Sequence, residues 1–276
     1  MDQFKILFRK FSDKENESEF LSCYNNFQVL DNLACVGKGD IVIGRYSVLP
    51  FYKDIEKIIN YLGGKLINSY SQHLFIADFQ YYDILKDYTF ETWEDYNFHE
   101  APDGEFVVKG KTNSKKLQWN KYMFAPNKKT ALSISSDLLS DSLIGSQGIL
   151  YRRYVPLKTF DTGINGIRFT NEWRFFFLDG EIIDYGYYWD KAYEITEKEL
   201  ESSDISNGIS FAKKISDIVK DHVNFFVIDI AQKEDGDWIL VEMNDGQMSG
   251  LCGIDENSFY RNLYSFIVTS QKECKI

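Results

Sequence analysis

The stretch FFVIDIAQKEDGDWILVEMNDGQMSGL, residues 225–251, holds the side chains of this chain best suited to grip an ion. Two apolar, strand-like runs flank a polar turn of Glu234, Asp235, Gly236 and Asp237. The first run carries Asp229 and the second Glu242 and Asn244. Residues two apart on a strand point to the same face, so Glu242 and Asn244 converge, and a hairpin returns Asp229 opposite them. Three oxygen donors gathered this way suit a hard cation such as Mg²⁺, with Mn²⁺ as a substitute. Carboxylate-held Mg²⁺ commonly shares its shell with phosphates, which raises the question of a nucleotide site elsewhere in the chain. The plain alternative is a solvated acidic hairpin, since a D…E-x-N pattern also arises by chance. Placement argues against it. Asp229 and Glu242 sit inside apolar runs, where an unpaired carboxylate is costly to bury, and the following Asp245–Gly250 turn is glycine-bounded, suiting close backbone approach to a ligand.

The chain has 276 residues, enough for one large or two to three small domains and a sizeable core. With 44% hydrophobic residues, 18 Tyr and 22 Phe, its composition is that of a folded protein whose aromatic rings are mainly core. A net charge of −11 argues against nucleic-acid binding as the main function. Cys23, Cys35, Cys252 and Cys274 show no metal or disulfide spacing and read as free thiols in a reducing compartment. The N-terminal apolar run is too short for a signal peptide, and no run reaches the ~20 residues a membrane helix needs. These features predict a cytoplasmic protein with no membrane partner.

The elements that must position the donors are readable in outline. Strands are expected at Phe4–Phe8, Asp40–Gly44 and Lys65–Asn68. Ser12–Glu19 reads as a polar segment, a helix starts at Pro50 and stops at Gly63-Gly64, and a second helix is expected over Asp78–Lys86. Phe106–Lys109 is a strand leading into the basic loop Gly110–Lys116. Thr130–Leu139 reads as a helix and Ile149–Val155 as a strand. Asn171–Leu178 and Glu181–Tyr188 form a hairpin around Asp179-Gly180, the strongest short-range turn signal in the chain. Ile205–His222 and Ser258–Thr269 read as helices.

Taken in order, FVVKGKTNSKK, ILYRRYV, NEWRFFFLDGEII and VIDIA…ILVEMND resemble the ATP-grasp superfamily, in particular the RimK-like carboxylate–amine ligases. The resemblance runs from about Phe106 to the C-terminus. It implies a fold of the α+β / α/β kind: a small N-terminal α/β domain over residues 1–88, then ATP-grasp subdomains over 89–150 and 151–276 that sandwich ATP. It implies that Lys109 places its ammonium against the phosphates. Lys111, Asn113, Ser114, Lys115 and Lys116 would close over them, although the family's loop is usually glycine-rich. Arg153 and Val155 would read the adenine edge through main-chain groups, beside Tyr154. At this strand members commonly carry an acidic residue where Arg152 or Arg153 stands.

Glu172 and Arg174 share one strand face. By resemblance Arg174 faces the γ-phosphate or the acylphosphate formed from it, Glu172 belongs to the nucleotide site, and Ser249 positions phosphate or substrate carboxylate. Asp229, Glu242 and Asn244 would hold one or two Mg²⁺ ions. The implied reaction activates a carboxylate as its acylphosphate and joins it to the amine of an amino acid, peptide or protein. The alternatives are phosphoryl transfer to a hydroxyl and a non-catalytic nucleotide-binding module. Arg45, before the Pro50 helix, is a candidate for the acceptor site. His73, His99 and His222 are scattered and read as structural.

Overall fold

Short apolar runs alternating with amphipathic helices build three four-stranded sheets and one two-stranded ribbon. This arrangement comes from a computed structural model that describes residues 4–273. Cys274 lies outside the described residues, and Cys23, Cys35 and Cys252 are free thiols.

The first sheet is parallel, with strands β1 (Phe4–Phe8), β2 (Gln28–Leu30), β3 (Ile41–Arg45) and β4 (Lys65–Ile67) in the order β2-β1-β3-β4. Parallel neighbours need crossovers, which α1 (Glu17–Asn26) and α2 (Tyr52–Tyr61) supply. Helix α1 begins inside the segment expected to be merely polar. Its buried positions are Glu19, Ser22 and Cys23, so its inward face carries little of the apolar periodicity that betrays a helix. The second correction concerns residues 70–86. The main helix there is α3 (Tyr70–Ala77), opened by a capping box between Ser69 and Gln72. The expected Asp78–Lys86 helix is reduced to one turn, α4 (Tyr82–Leu85), after Phe79 adopts a left-handed φ of 64°.

The second sheet is antiparallel, with β5 (Thr92–Glu94), β6 (Phe106–Gly110), β7 (Phe124–Ala125) and β8 (Ile149–Arg153) in the order β5-β8-β6-β7. The short α5 (Trp119–Tyr122) precedes β7, and α6 (Lys128–Leu139) follows it. Alternation along the strands divides the sheet's faces. Phe106, Val108, Ile149 and Tyr151 pack with Ala131, Ile134 and Leu138 of α6. Val107, Lys109 and Arg152 face the other way. The strand expected to run to Val155 ends at Arg153.

After the ribbon of β9 (Thr159–Thr162) and β10 (Arg168–Thr170), the third sheet is built from β11 (Glu172–Leu178), β12 (Glu181–Tyr187), β13 (Phe225–Gln232) and β14 (Trp238–Asp245). Its order is β12-β11-β13-β14, antiparallel throughout. Asp179 and Gly180 both have positive φ, 49° and 87°, as the expected two-residue hairpin turn requires. Helices α7 (Glu197–Glu201) and α8 (Ile205–Val219) lie between β12 and β13, and α9 (Glu256–Glu273) follows β14.

β13 is buried along its whole length because both of its faces are covered. Phe226, Ile228 and Ile230 join Ala212, Ile215 and Val219 of α8. Phe225 and Val227, with Phe176 and Leu178 of β11, join Phe259 and Leu263 of α9. Where that second apolar cover stops, the next residues on the same face are Asp229 and Arg174. No helix among the described residues is long and apolar enough to cross a membrane.

Candidate active site

The polar ends of the second and third sheets face each other across a cleft. From β6 and β8 come Lys109 and Arg152. From β11, β13 and β14 come Glu172, Arg174, Asp229, Glu242 and Asn244. Register explains the convergence: Arg174 pairs with Asp229, and Asp229 pairs with Glu242. A β-bulge follows at once, because Ile230 pairs with Leu240 and leaves Val241 without a partner on β13. Bulges of this kind re-aim side chains beside functional sites.

The two carboxylates expected to meet a metal are each held by a cation. Arg174 donates from Nε to Asp229 Oδ1 at 2.8 Å and from Nη2 to Oδ2 at 2.7 Å, and from Nη1 to the Gly250 carbonyl at 2.9 Å. Lys109 Nζ donates to Glu242 Oε2 at 2.5 Å, an ion pair that joins the two sheets across the cleft. Asn244 Nδ2 lies 3.5 Å from Asp229 Oδ2. All of these groups except Asn244 are buried. Burial works against the Glu242 charge, but Lys109, Lys116 and Arg152 overcome it and hold the carboxyl down at about 2. Burial pulls Lys109 down to about 8, with Glu242 opposing the drop and Arg152 adding to it. At neutral pH the pair is therefore ionised. Glu172 is raised, first by burial and then by repulsion from Asp229, with Lys116 opposing, and its Oε1 is buried without a partner.

The part of the cleft that runs toward the 154–155 linker encloses about 810 Å³ including its mouth. Lys109, Lys116, Arg152, Arg153 and Arg168 line it, against the carboxylates of Glu172 and Glu242. Five cations against two acids, in a protein of net charge −11, mark an anion site. Tyr154 and Val155 line the same region, and the Val155 amide has no hydrogen-bond partner among the described residues. A second opening, toward the 245–250 loop, is lined by Ser114, Arg174, Tyr188, Asn244 and Ser249.

Not every residue singled out from the sequence arrives here. Lys111 pairs with Glu94 at 2.7 Å, and Lys115 pairs with Asp141. Of the loop's lysines it is Lys116 that enters the cleft, donating to Tyr188 Oη at 2.5 Å over the Tyr188 ring. Spacing alone did not separate the three. The Ser249 hydroxyl is committed to the Asp245 carbonyl at 2.8 Å. Arg45 is fully buried, bound to Glu19 and to the carbonyls of Gly246 and Ser249, and cannot meet an acceptor substrate. His73 bonds Asp245 at 3.0 Å and His222 stacks on Phe75, both structural contacts, while His99 sits among exposed residues. Tyr187 is core, whereas Tyr188 and Trp189 border the cleft. Arg152 was passed over in the sequence. Its signal was a cation at a strand position that faces the same way as Lys109.

Among the described residues, no cluster of three or more His, Cys, Asp or Glu side chains is placed to hold an ion. The donor set is two carboxylates and one amide, all hard oxygen ligands. It fits Mg²⁺ in the mode where phosphates complete the shell, not as a closed protein cage.

Three successive sheets, with a cation-lined cleft between the second and third, define an ATP-grasp protein. The sequence matches an ATP-grasp domain family, the third family of its clade, over residues 97–263, more than half of the chain, and the chain belongs to that family. No curated protein matches it by sequence. Solved structures with the same fold include a RimK domain ATP-grasp protein from Sphaerobacter thermophilus DSM 20745 (TM-score 0.55, 10% identity, 96% of this chain and 99% of that one). D-alanyl-alanine synthetase A from Vibrio cholerae O1 biovar eltor follows at TM-score 0.53 and 12% identity, covering 97% of each chain. The ATP-grasp ligase PsnB, complexed with minimal precursor, Mg and ADP, gives 0.53 and 12%, covering 97% of this chain and 98% of that one. Identities this low establish the fold.

Proposed function

We propose that this protein is an ATP- and Mg²⁺-dependent, ADP-forming ligase that joins a carboxylate to an amine. The observation that carries the reading is the excess of buried cations in the cleft of an otherwise acidic chain, with Arg174 and Lys109 at its centre. Val155 and the Arg153 carbonyl would take the adenine edge beside Tyr154. Lys109, Lys116 and Ser114 would hold the phosphates, while Lys111 would have to leave Glu94 to join them.

Asp229, Glu242 and Asn244 are the residues to hold Mg²⁺, or Mn²⁺ in its place. When bound, the ion neutralises charge on the transferring phosphate. A substrate carboxylate oxygen bonds to the γ-phosphorus as the bond to the β,γ-bridging oxygen breaks, giving an acylphosphate and ADP. The amine nitrogen then bonds to the acyl carbon, inorganic phosphate leaves, and the nitrogen loses a proton. Arg174 stabilises the charge that develops on the phosphoryl group and keeps it close to the substrate carboxylate. PsnB has been seen with a precursor peptide, and D-alanyl-alanine synthetase is named for a dipeptide. An amino acid, peptide or protein substrate is proposed here on that likeness. Free thiols and the absence of a spanning helix among the described residues suit a cytoplasmic setting.

The test is incubation with Mg²⁺-ATP, a panel of carboxylates and hydroxylamine. A hydroxamate and ADP are expected. Glu242→Gln should lower ADP formation by at least about a hundredfold without loss of the folded state. A stable phosphorylated product without hydroxamate would instead mean phosphoryl transfer to a hydroxyl. Failure of saturating Mg²⁺-ATP to raise the melting temperature would remove the ATP reading.

A further inference from the structure

Arg152 stands on the cleft face of β8 and is 4% exposed. Only one of its guanidinium nitrogens has an acceptor: Nη1 donates to the carbonyl of Val241, the bulge residue, at 2.5 Å. Nε and Nη2 are buried with no partner among the described residues. The rings of Phe79 and Phe90, each 5.8 Å from the guanidinium carbon, set its plane but leave its edge free. Tyr81 Oη, whose titration Arg152 influences, also lacks a partner, and a neutral hydroxyl would not balance the charge. Burying a cation with donors unmet is costly unless an anion completes it. Glu242, the carboxylate that feels Arg152, is already committed through Oε2 to Lys109.

Arg174 shows what such an edge does when it is complete. There the same two nitrogens, Nε and Nη2, take both oxygens of Asp229. A tetrahedral oxyanion offers two oxygens to that fork in the same way.

Register says which oxyanion. Arg152 pairs with Val107, and Lys109 pairs with Leu150, so Lys109 lies two residues, about 7 Å, farther from the 154–155 linker. Along the cleft the order is therefore linker, Arg152, then Lys109 with Glu242. Resting on the nucleotide reading above, we infer that Arg152 binds the phosphate nearest the nucleoside, the α-phosphate, through its Nε and Nη2 edge.

The experiment is calorimetric titration of the full chain with adenosine, AMP and ADP at fixed salt and Mg²⁺. Arg152→Gln should weaken AMP and ADP by about tenfold and leave adenosine within about twofold. Arg152→Lys keeps the charge but not the fork, and should lose about threefold for the two nucleotides. It also decides the matter if the glutamine variant fails to fold. Unchanged AMP and ADP affinities in a folded variant would overturn the assignment. So would an equal loss for adenosine, which would make Arg152 a support for the linker. If the wild-type chain binds none of the three, the nucleotide reading itself fails and takes this assignment with it.

Discussion

Arg45 and Arg152 are both buried, both on strands, and both isolated from water, yet the protein completes one and not the other. Every nitrogen of Arg45 has acceptors: Glu19 and the tyrosines Tyr46 and Tyr260 on one side, the Gly246 and Ser249 carbonyls on the other. Glu19 in turn accepts from both tyrosine hydroxyls at 2.8 Å. That network is closed and asks for nothing from outside. Arg152 has one carbonyl and two unmet donors, in a cleft where Lys109 takes the nearby carboxylate. Burial of a charge is thus a poor guide to its role. The completeness of its hydrogen bonding is a better one.

The largest effect should come from breaking the closed network. Glu19→Ala strands Arg45 without a counter-charge and should cost about 3–5 kcal/mol in urea denaturation. Arg152→Gln should shift the same measurement by no more than about 1 kcal/mol, in either direction, because the charge it removes was never balanced. Comparable losses in the two variants would erase the distinction between the arginines.

Next in size is a pH effect on nucleotide binding. Lys109 titrates near 8 in the free protein, below its ordinary 10.5, because it is buried beside Arg152 and Lys116 with only Glu242 in support. A folded-state value below the unfolded one means that unfolded chains bind more protons between about pH 8 and 10.5, so the contribution of Lys109 to stability rises with pH there. Nucleotide binding runs the opposite way, since phosphate needs the ammonium. Affinity for ADP should fall by about tenfold from pH 7.5 to 9, and Lys109→Arg should flatten that fall. A flat wild-type profile would take Lys109 out of the phosphate site.

The smallest effect belongs to the lysine that stays outside. Lys111 and Glu94 form a partly exposed pair, and Lys111→Ala should change stability by no more than about 0.5 kcal/mol and ADP affinity by less than about twofold. A larger loss of affinity would mean that the loop carries Lys111 into the cleft when nucleotide arrives.

How far the sequence reached follows the same physics. The hairpins were legible because their signals are local: an Asp-Gly turn, alternating apolar runs, and paired donors two residues apart on β14. The face shared by Glu172 and Arg174 followed from strand alternation alone. The Lys109–Glu242 pair spans 133 positions and has no local trace. Neither does the choice of Lys116 over Lys111 and Lys115, which depends on the path of a loop. Arg45 looked like an anion-binding residue because its partner Glu19 sits on a helix whose inward face is too polar to announce itself.

The loop after β14 is fastened to the first sheet at many points. Gln247 Oε1 accepts from the Gly44 amide, Asp245 accepts from Tyr52 and Asn68, and Asn68 also exchanges two bonds with the backbone of Phe225. The segment that carries the family signature, 97–263, therefore borrows part of its frame from residues that precede it. A fragment cut to that signature would leave Asp245, Gln247 and the Phe225 backbone without these partners beside the metal-ligand strands. Loosening of the first sheet should reach the cleft as slackness in Asn244 and Gly250, so the two regions should melt as one cooperative unit.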